Sequence, residues 1–96
     1  LIPGTVDENA ELVTHILNSM DMEILNNAPT DDGWLIEAAY TSRWFGFVDD
    51  FVVRLRKDGA QTRVDVRSKS RVGGSDLGAN ARRTQAFYEN LKAATS

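Results

Sequence analysis

Asp58 and Gly59 stand between "FVVRLR" and "TRVDVRSKS", two runs in which apolar and charged residues alternate. An Asp-Gly pair in that setting reverses the chain tightly, so the two runs are expected to pair as an antiparallel hairpin. The alternation also assigns faces. In the second run Val64, Val66, Ser68 and Ser70 point one way, and Arg63, Asp65, Arg67, Lys69 and Arg71 point the other. A chain containing this segment needs a sheet with one covered face and one charged face.

The same period of two runs upstream. In "WLIEAAYTSRWFGF" Trp34, Ile36, Ala38, Tyr40 and Trp44 share a face, while Glu37, Thr41 and Arg43 share the other. Gly46 marks a bend or bulge in this long strand, and "FVDD" is expected to turn into "FVVRLR". Further upstream, "MEILNNAP" is a short strand and "TDDG" a tight connection, with the aspartates bonding locally and the glycine supplying a positive φ.

On either side of these strands the period lengthens to that of a helix. "TVDENAELVTHILNSM" carries Val13, Ile16, Leu17 and Met20 at helical spacing, with Thr5 and Glu8 placed as a capping box and Asp7, Glu8 and Glu11 near the positive end of the helix dipole. At the other end Leu77, Ala81, Thr84, Phe87, Tyr88 and Leu91 form an apolar stripe behind Ser75 or Asp76 as cap. The order is helix, four strands, helix. It predicts an α+β domain: a four-stranded antiparallel meander sheet with two helices on one face and the other face partly open. Ninety-six residues without linker, repeat or low-complexity segment suit one domain, 1–96.

Several chemistries are excluded by count. The chain has no cysteine, hence no disulfide, thiolate zinc site or cysteine nucleophile, and its one histidine, His15, rules out a histidine-rich metal site. His15 lies within the first helical pattern, which assigns it to a helix flank rather than to a Ser-His-Asp triad. No cofactor is expected. No apolar run approaches the roughly 18 residues of a membrane span. Leu1 is not a start methionine, so the chain reads as processed or truncated, and membrane association would require a segment upstream of it.

Charge is distributed unevenly. Residues 1–42 hold eight acidic and no basic side chains, and residues 43–96 hold eleven basic and six acidic ones. Either the basic half offers a face to an anionic partner, or the two halves pair across one surface. The row Arg63, Arg67, Lys69 and Arg71, with Arg54 and Arg56 on the neighbouring strand, is the best argument for an anionic partner. A net charge of −3 and the acidic first half weigh against nucleic acid.

The densest cluster is "RSKSRVGGSDLGANARR", residues 67–83, with five of the eleven Lys and Arg and three of the seven Gly. Gly73, Gly74 and Ser75 before a helix start resemble an anion cradle. The spacing is neither that of a P-loop nor G-x-G-x-x-G. Asp76 moreover brings a negative charge to the place a phosphate would take. The stretch therefore reads as a strand-to-helix joint in which Asp76 attracts Arg43, Arg67 or Arg71, with Asn80 and Arg83 along the same helix face; a ligand site using the same donors stays open. Arg43 with Asp49 and Asp50 suggests two carboxylates beside a cation. Neighbours in a strand point to opposite faces, so the pair converges only if it lies in a turn, and a turn with a salt bridge is the simpler reading.

The blocks "SRWFGFVDDFVVRLR" and "TRVDVRSKSRVGGSDLGANARR" resemble the bacterial and plastid family known as domain of unknown function 1499. The resemblance rests on Arg43 to Phe47 with Asp49 and Asp50, and on Arg67 to Gly73 with Ser68, Ser70, Ser75, Asp76, Gly78, Asn80 and Arg83. It implies no established activity. It implies export, membrane-targeting or plastid settings, and an extra N-terminal strand for which no alternating run is present before the first helix.

Together these readings point to a non-enzymatic binding or protein-interaction module with an arginine-rich polar sheet face. Its expected partner is a protein or a small anionic ligand. The candidate residues are Arg43, Asp49, Asp50, Arg67, Ser68, Ser70, Arg71, Gly73, Ser75, Asp76, Asn80 and Arg83. A small hydrolase or isomerase using Asp49, Asp50 or Asp76 with Arg43 or Arg67 is the alternative, and an accessory subunit of a membrane or plastid assembly a third.

Overall fold

A computed structural model describes residues 1–41, 48–70 and 77–95. The elements run β1 (Ile2–Pro3), α1 (Val6–Ser19), β2 (Glu23–Thr30), β3 (Gly33–Thr41), β4 (Val48–Asp58), β5 (Gln61–Ser70) and α2 (Leu77–Thr95). The class is α+β, as expected, but the antiparallel sheet has five strands rather than four, in the order β1-β5-β4-β3-β2.

The additional strand is too short to carry a period. β1 pairs with β5 through Ile2 opposite Thr62 and Pro3 opposite Gln61. What fixes it is a buried polar joint. Asn9 of α1, 4% exposed, donates its amide to the Thr62 hydroxyl at 2.9 Å and to the Pro3 carbonyl at 3.1 Å, and the Thr62 hydroxyl donates to the Gly4 carbonyl at 3.0 Å. Each buried polar group thereby has a partner, so two side chains hold a two-residue strand that backbone pairing alone would not retain.

α1 begins as its sequence indicates. The Thr5 hydroxyl accepts from the Glu8 N–H at 3.2 Å and donates to the Glu8 carboxylate at 3.0 Å. It ends with Asp21 in the left-handed region, at φ 62°, where the Met22 N–H returns to the Leu17 carbonyl at 3.1 Å. Ala10, Val13, Ile16 and Leu17 face the sheet and His15 is exposed. A chain of side-chain hydrogen bonds fastens the helix to the outer strands: Trp34 Nε1 donates to Asn27 Oδ1, and Asn27 Nδ2 donates to the Thr14 hydroxyl at 2.9 Å.

Register places the core on one face. Ile36 lies opposite Val53, which lies opposite Val66, and Ala38, Phe51 and Ser68 form the next row. Phe51, Val53, Leu55, Ile36 and Ala38 join Val13, Ile16 and Leu17 of α1 and Phe87 and Leu91 of α2 in one buried cluster. Phe51 and Phe87 meet edge to face with centroids 5.3 Å apart, an arrangement that adds to their area burial. Of the apolar stripe expected on α2, Phe87 and Leu91 are buried, whereas Ala81 and Tyr88 are exposed beside the sheet.

Two turn readings are revised. Asp49 and Asp50 do not turn; they belong to β4 and pair with Tyr40 and Ala39 of β3 and with Ser70 and Lys69 of β5. Turn propensity yields here to ladder hydrogen bonds on both sides of a central strand. Gly33 does not supply a positive φ. Its role is close approach, since a Cβ there would stand 1.8 Å from the Leu55 carbonyl oxygen. Gly59 is at positive φ, 62°, as is Gly4; it lies in the β4–β5 turn, where Asp58 pairs with Gln61 and glycine occupies the first central position. The expected bend at Gly46, and Trp44 with it, lie outside the described residues.

Candidate functional site

The face of the sheet away from the helices carries the charge. Leu35, Arg54 and Asp65 form one cross-strand row; Val52 and Arg67 lie in the next on one side, and Arg56 and Arg63 on the other. Arg63, Asp65, Arg67 and Lys69 are all exposed, and Val64, Val66 and Ser68 between them are half-buried, as the alternation predicts.

A depression of about 460 Å³ opens on this face, with Leu35 and Val52 as apolar floor and Arg54, Arg56, Arg67, Asp65 and Tyr88 around it. Its arginines are differently engaged. Arg56 bonds Asp65 at 2.8 Å, Arg54 stands 3.7 Å from Asp32 in the β2–β3 turn, and Arg67 has no ion-pair partner among the described residues. The Arg56 Nε is shielded from solvent and has no hydrogen-bond partner among the described residues, although its guanidinium head reaches water. The guanidinium bonded to Asp65 holds that carboxyl below the usual carboxylate range, and the bond raises Arg56 in turn. Three cations against Asp65 and, at the β2–β3 turn, Asp32 leave one positive charge in excess over an apolar floor. That combination suits an anion that also carries carbon.

Tyr88 forms the wall on the β5 side. Its phenol is pushed above its ordinary range, mainly by burial and then by the charge of Asp65, while a backbone hydrogen bond from Val66 acts the other way. Tyr88 thus covers the outer edge of β5 just beyond the reach of β1.

The sequence-selected residues fall into separate groups. Asp49 emerges on the helix-covered face, where its carboxylate meets Arg83 of α2 at 2.9 Å, with side chains 15% and 14% exposed. The same guanidinium lies 4.1 Å from the centre of the Tyr40 ring. The sequence places Arg83 only along the helix face of Asp76; the structure pairs it with Asp49 of β4. Asp50, next along β4, sits among Ala39 and Lys69 on the opposite face. The two carboxylates therefore do not converge. Arg67 belongs to the depression, and Ser68 lies in the core-side row beside Phe51. Ser70 ends β5 and Asn80 falls within α2. Arg43, Arg71, Gly73, Ser75 and Asp76 lie outside the described residues.

Arg54 and Arg56 of β4, which the sequence places beside the β5 basic row but which stand outside the candidate set, join the site, and so does Tyr88, which the sequence assigns to the core stripe. Period-two parity puts both arginines on a face with Arg63 and Arg67 once the Asp58-Gly59 hairpin sets the register. No group of three or more His, Cys, Asp or Glu is placed to hold a metal ion among the described residues, and none of their helices is long and apolar enough to cross a membrane.

The family model described as protein of unknown function, DUF1499, matches residues 2–91 of the 96. The chain belongs to this family. Neither a curated protein nor a solved structure matches it. The span matched in this DUF1499 member runs from β1 into the last turns of α2, so the Asn9–Thr62 joint, the Asp49–Arg83 pair and the arginine-lined depression all lie inside it.

Proposed function

We propose that the domain is a binding module that takes a small anionic ligand on the helix-free face of its sheet. The observation that carries this reading is the meeting of Arg54, Arg56 and Arg67 in one depression of about 460 Å³ whose described lining includes a single acid. Guanidinium groups offer forked donors to a carboxylate or phosphate, and the ladder of β4 and β5 holds their Cα positions without further ordering. Arg67, with no ion pair among the described residues, supplies donors that a bound anion would satisfy.

Calorimetric titration with inorganic phosphate and with citrate tests it. Saturable binding is expected, weakening with salt, and Arg67→Ala should reduce affinity roughly tenfold, the value of a charge-assisted hydrogen bond. An unchanged affinity in Arg67→Ala and Arg54→Ala, or no binding by the unaltered chain, refutes the proposal.

A further inference from the structure

We infer that the ligand of this face is an anionic amphiphile with one apolar chain, its head held by Arg54, Arg56 and Arg67 and its chain passing Tyr88 into the groove between β5 and α2. The inference rests on the anion-binding reading above and specifies the ligand class.

Tyr88 is shared by two cavities. On one side it borders the arginine-lined depression; on the other it borders a groove of about 750 Å³ that also touches Ser68, Ala81, Thr84, Gln85, Glu89 and Lys92. On α2, Ala81, the pair Thr84 and Gln85, the pair Tyr88 and Glu89, and Lys92 recur at steps of three or four residues, so they form a stripe along the helix. From Ala81 to Lys92 the row rises about 16 Å, enough for an extended alkyl chain. The walls are mainly carbon. The Thr84 methyl, the Gln85 and Lys92 stems and the Tyr88 ring can cover a chain while their polar ends stay in water.

The division of chemistry selects the occupant. A fully charged ligand would leave the carbon-walled groove unused, and a neutral lipid would leave the arginines without an anion. An extended acidic peptide would bring backbone N–H and C=O groups against carbon walls, where each lacks a partner. A broad anionic membrane surface would meet a chain of net charge −3 whose first half is acidic. A monomeric amphiphile satisfies both cavities.

The test uses the full 96-residue chain, with butanoate, hexanoate, octanoate and decanoate below their micelle concentrations, and the alkanols of equal length. Affinity should rise roughly twofold per added methylene, as for a half-buried chain, and the alkanols should bind far more weakly. Gln85→Trp, which narrows the groove from an exposed position, should flatten the dependence on length while leaving phosphate binding unchanged; Thr84→Trp gives the same reading from the inner wall. Anion binding without dependence on chain length overturns the amphiphile and spares the anion site. Loss of all anion binding overturns both, and binding to anionic vesicles without length-dependent binding of the monomer overturns the amphiphile.

Discussion

Arg83 Nη1 lies 2.9 Å from Asp49 Oδ2 while its guanidinium covers the Tyr40 ring at 4.1 Å, so one side chain of α2 holds both β3 and β4. Both charged groups are largely withdrawn from water, at 14% and 15% side-chain exposure. Removing one takes a largely buried ion-pair partner from the other. Arg83→Met is expected to cost about 3 kcal/mol in urea unfolding, and Asp49→Leu a similar amount. The double variant should cost less than the sum of the two, because the interaction they share is then lost only once. Strict additivity would show that the pair acts only as two separate packing groups.

The Asn9–Thr62 joint sets a second expectation. Asn9→Leu leaves the Thr62 hydroxyl with one partner fewer and removes the bond to Pro3, so β1 should detach before the domain unfolds. A loss of about 2 kcal/mol is expected for a buried polar group left unsatisfied. Hydrogen exchange checks it. Faster exchange should be confined to the paired ends of β1 and β5, with the β3–β4 ladder still protected.

Gly33 gives the sharpest steric prediction. Its missing Cβ would meet the Leu55 oxygen at 1.8 Å and the Leu55 carbonyl carbon at 2.7 Å, and both are backbone atoms of a central strand. Neither can rotate aside. Gly33→Ala should cost more than about 3 kcal/mol or displace the start of β3, whereas Gly59→Ala, with nothing near its Cβ, should show only the milder strain of a positive φ. Thermal unfolding of the two variants side by side decides the point.

These relationships differ in how far local sequence reveals them. The Thr5–Glu8 cap, the α1 core stripe and the two faces of β5 follow from spacing, because each is a repeat along one element. β1 has no repeat to read. Asn9 and Thr62 look like ordinary surface residues until two elements 53 positions apart close around them. Asp49 and Asp50 carry turn propensity, which a strand paired on both sides overrides. The arginine-lined depression was half visible: parity put the β5 cations on one face, but the contribution of Tyr88 depends on α2 returning beside the outer edge of β5. Spacing places Arg83 on the helix face of Asp76 and assigns it no partner, because that partner, Asp49, lies 34 residues away, beyond any helical spacing rule.

Titration offers a check on the depression itself. The chain has two tyrosines, and Tyr88 is held above its ordinary range, first by burial and then by Asp65. A phenol whose folded value is raised binds its proton more firmly in the folded state, so its contribution to stability is complete below the unfolded value near 10 and is lost as pH rises through the folded one. Phenolate absorbance should therefore show a late component that Tyr88→Phe removes. Asp65 moves oppositely. Its hydrogen bond from Arg56 lowers its carboxyl, so its contribution is present above the unfolded value near 4 and is lost as pH falls through the folded value. Both groups of that pair reach water, so salt should weaken the effect. Arg56→Ala should return Asp65 toward the ordinary carboxylate range in a carbon-detected NMR titration. Asp65→Asn should lower the Tyr88 titration only in part, since burial persists, and a complete return of Tyr88 to its ordinary value would mean that charge rather than burial shields the wall of the site.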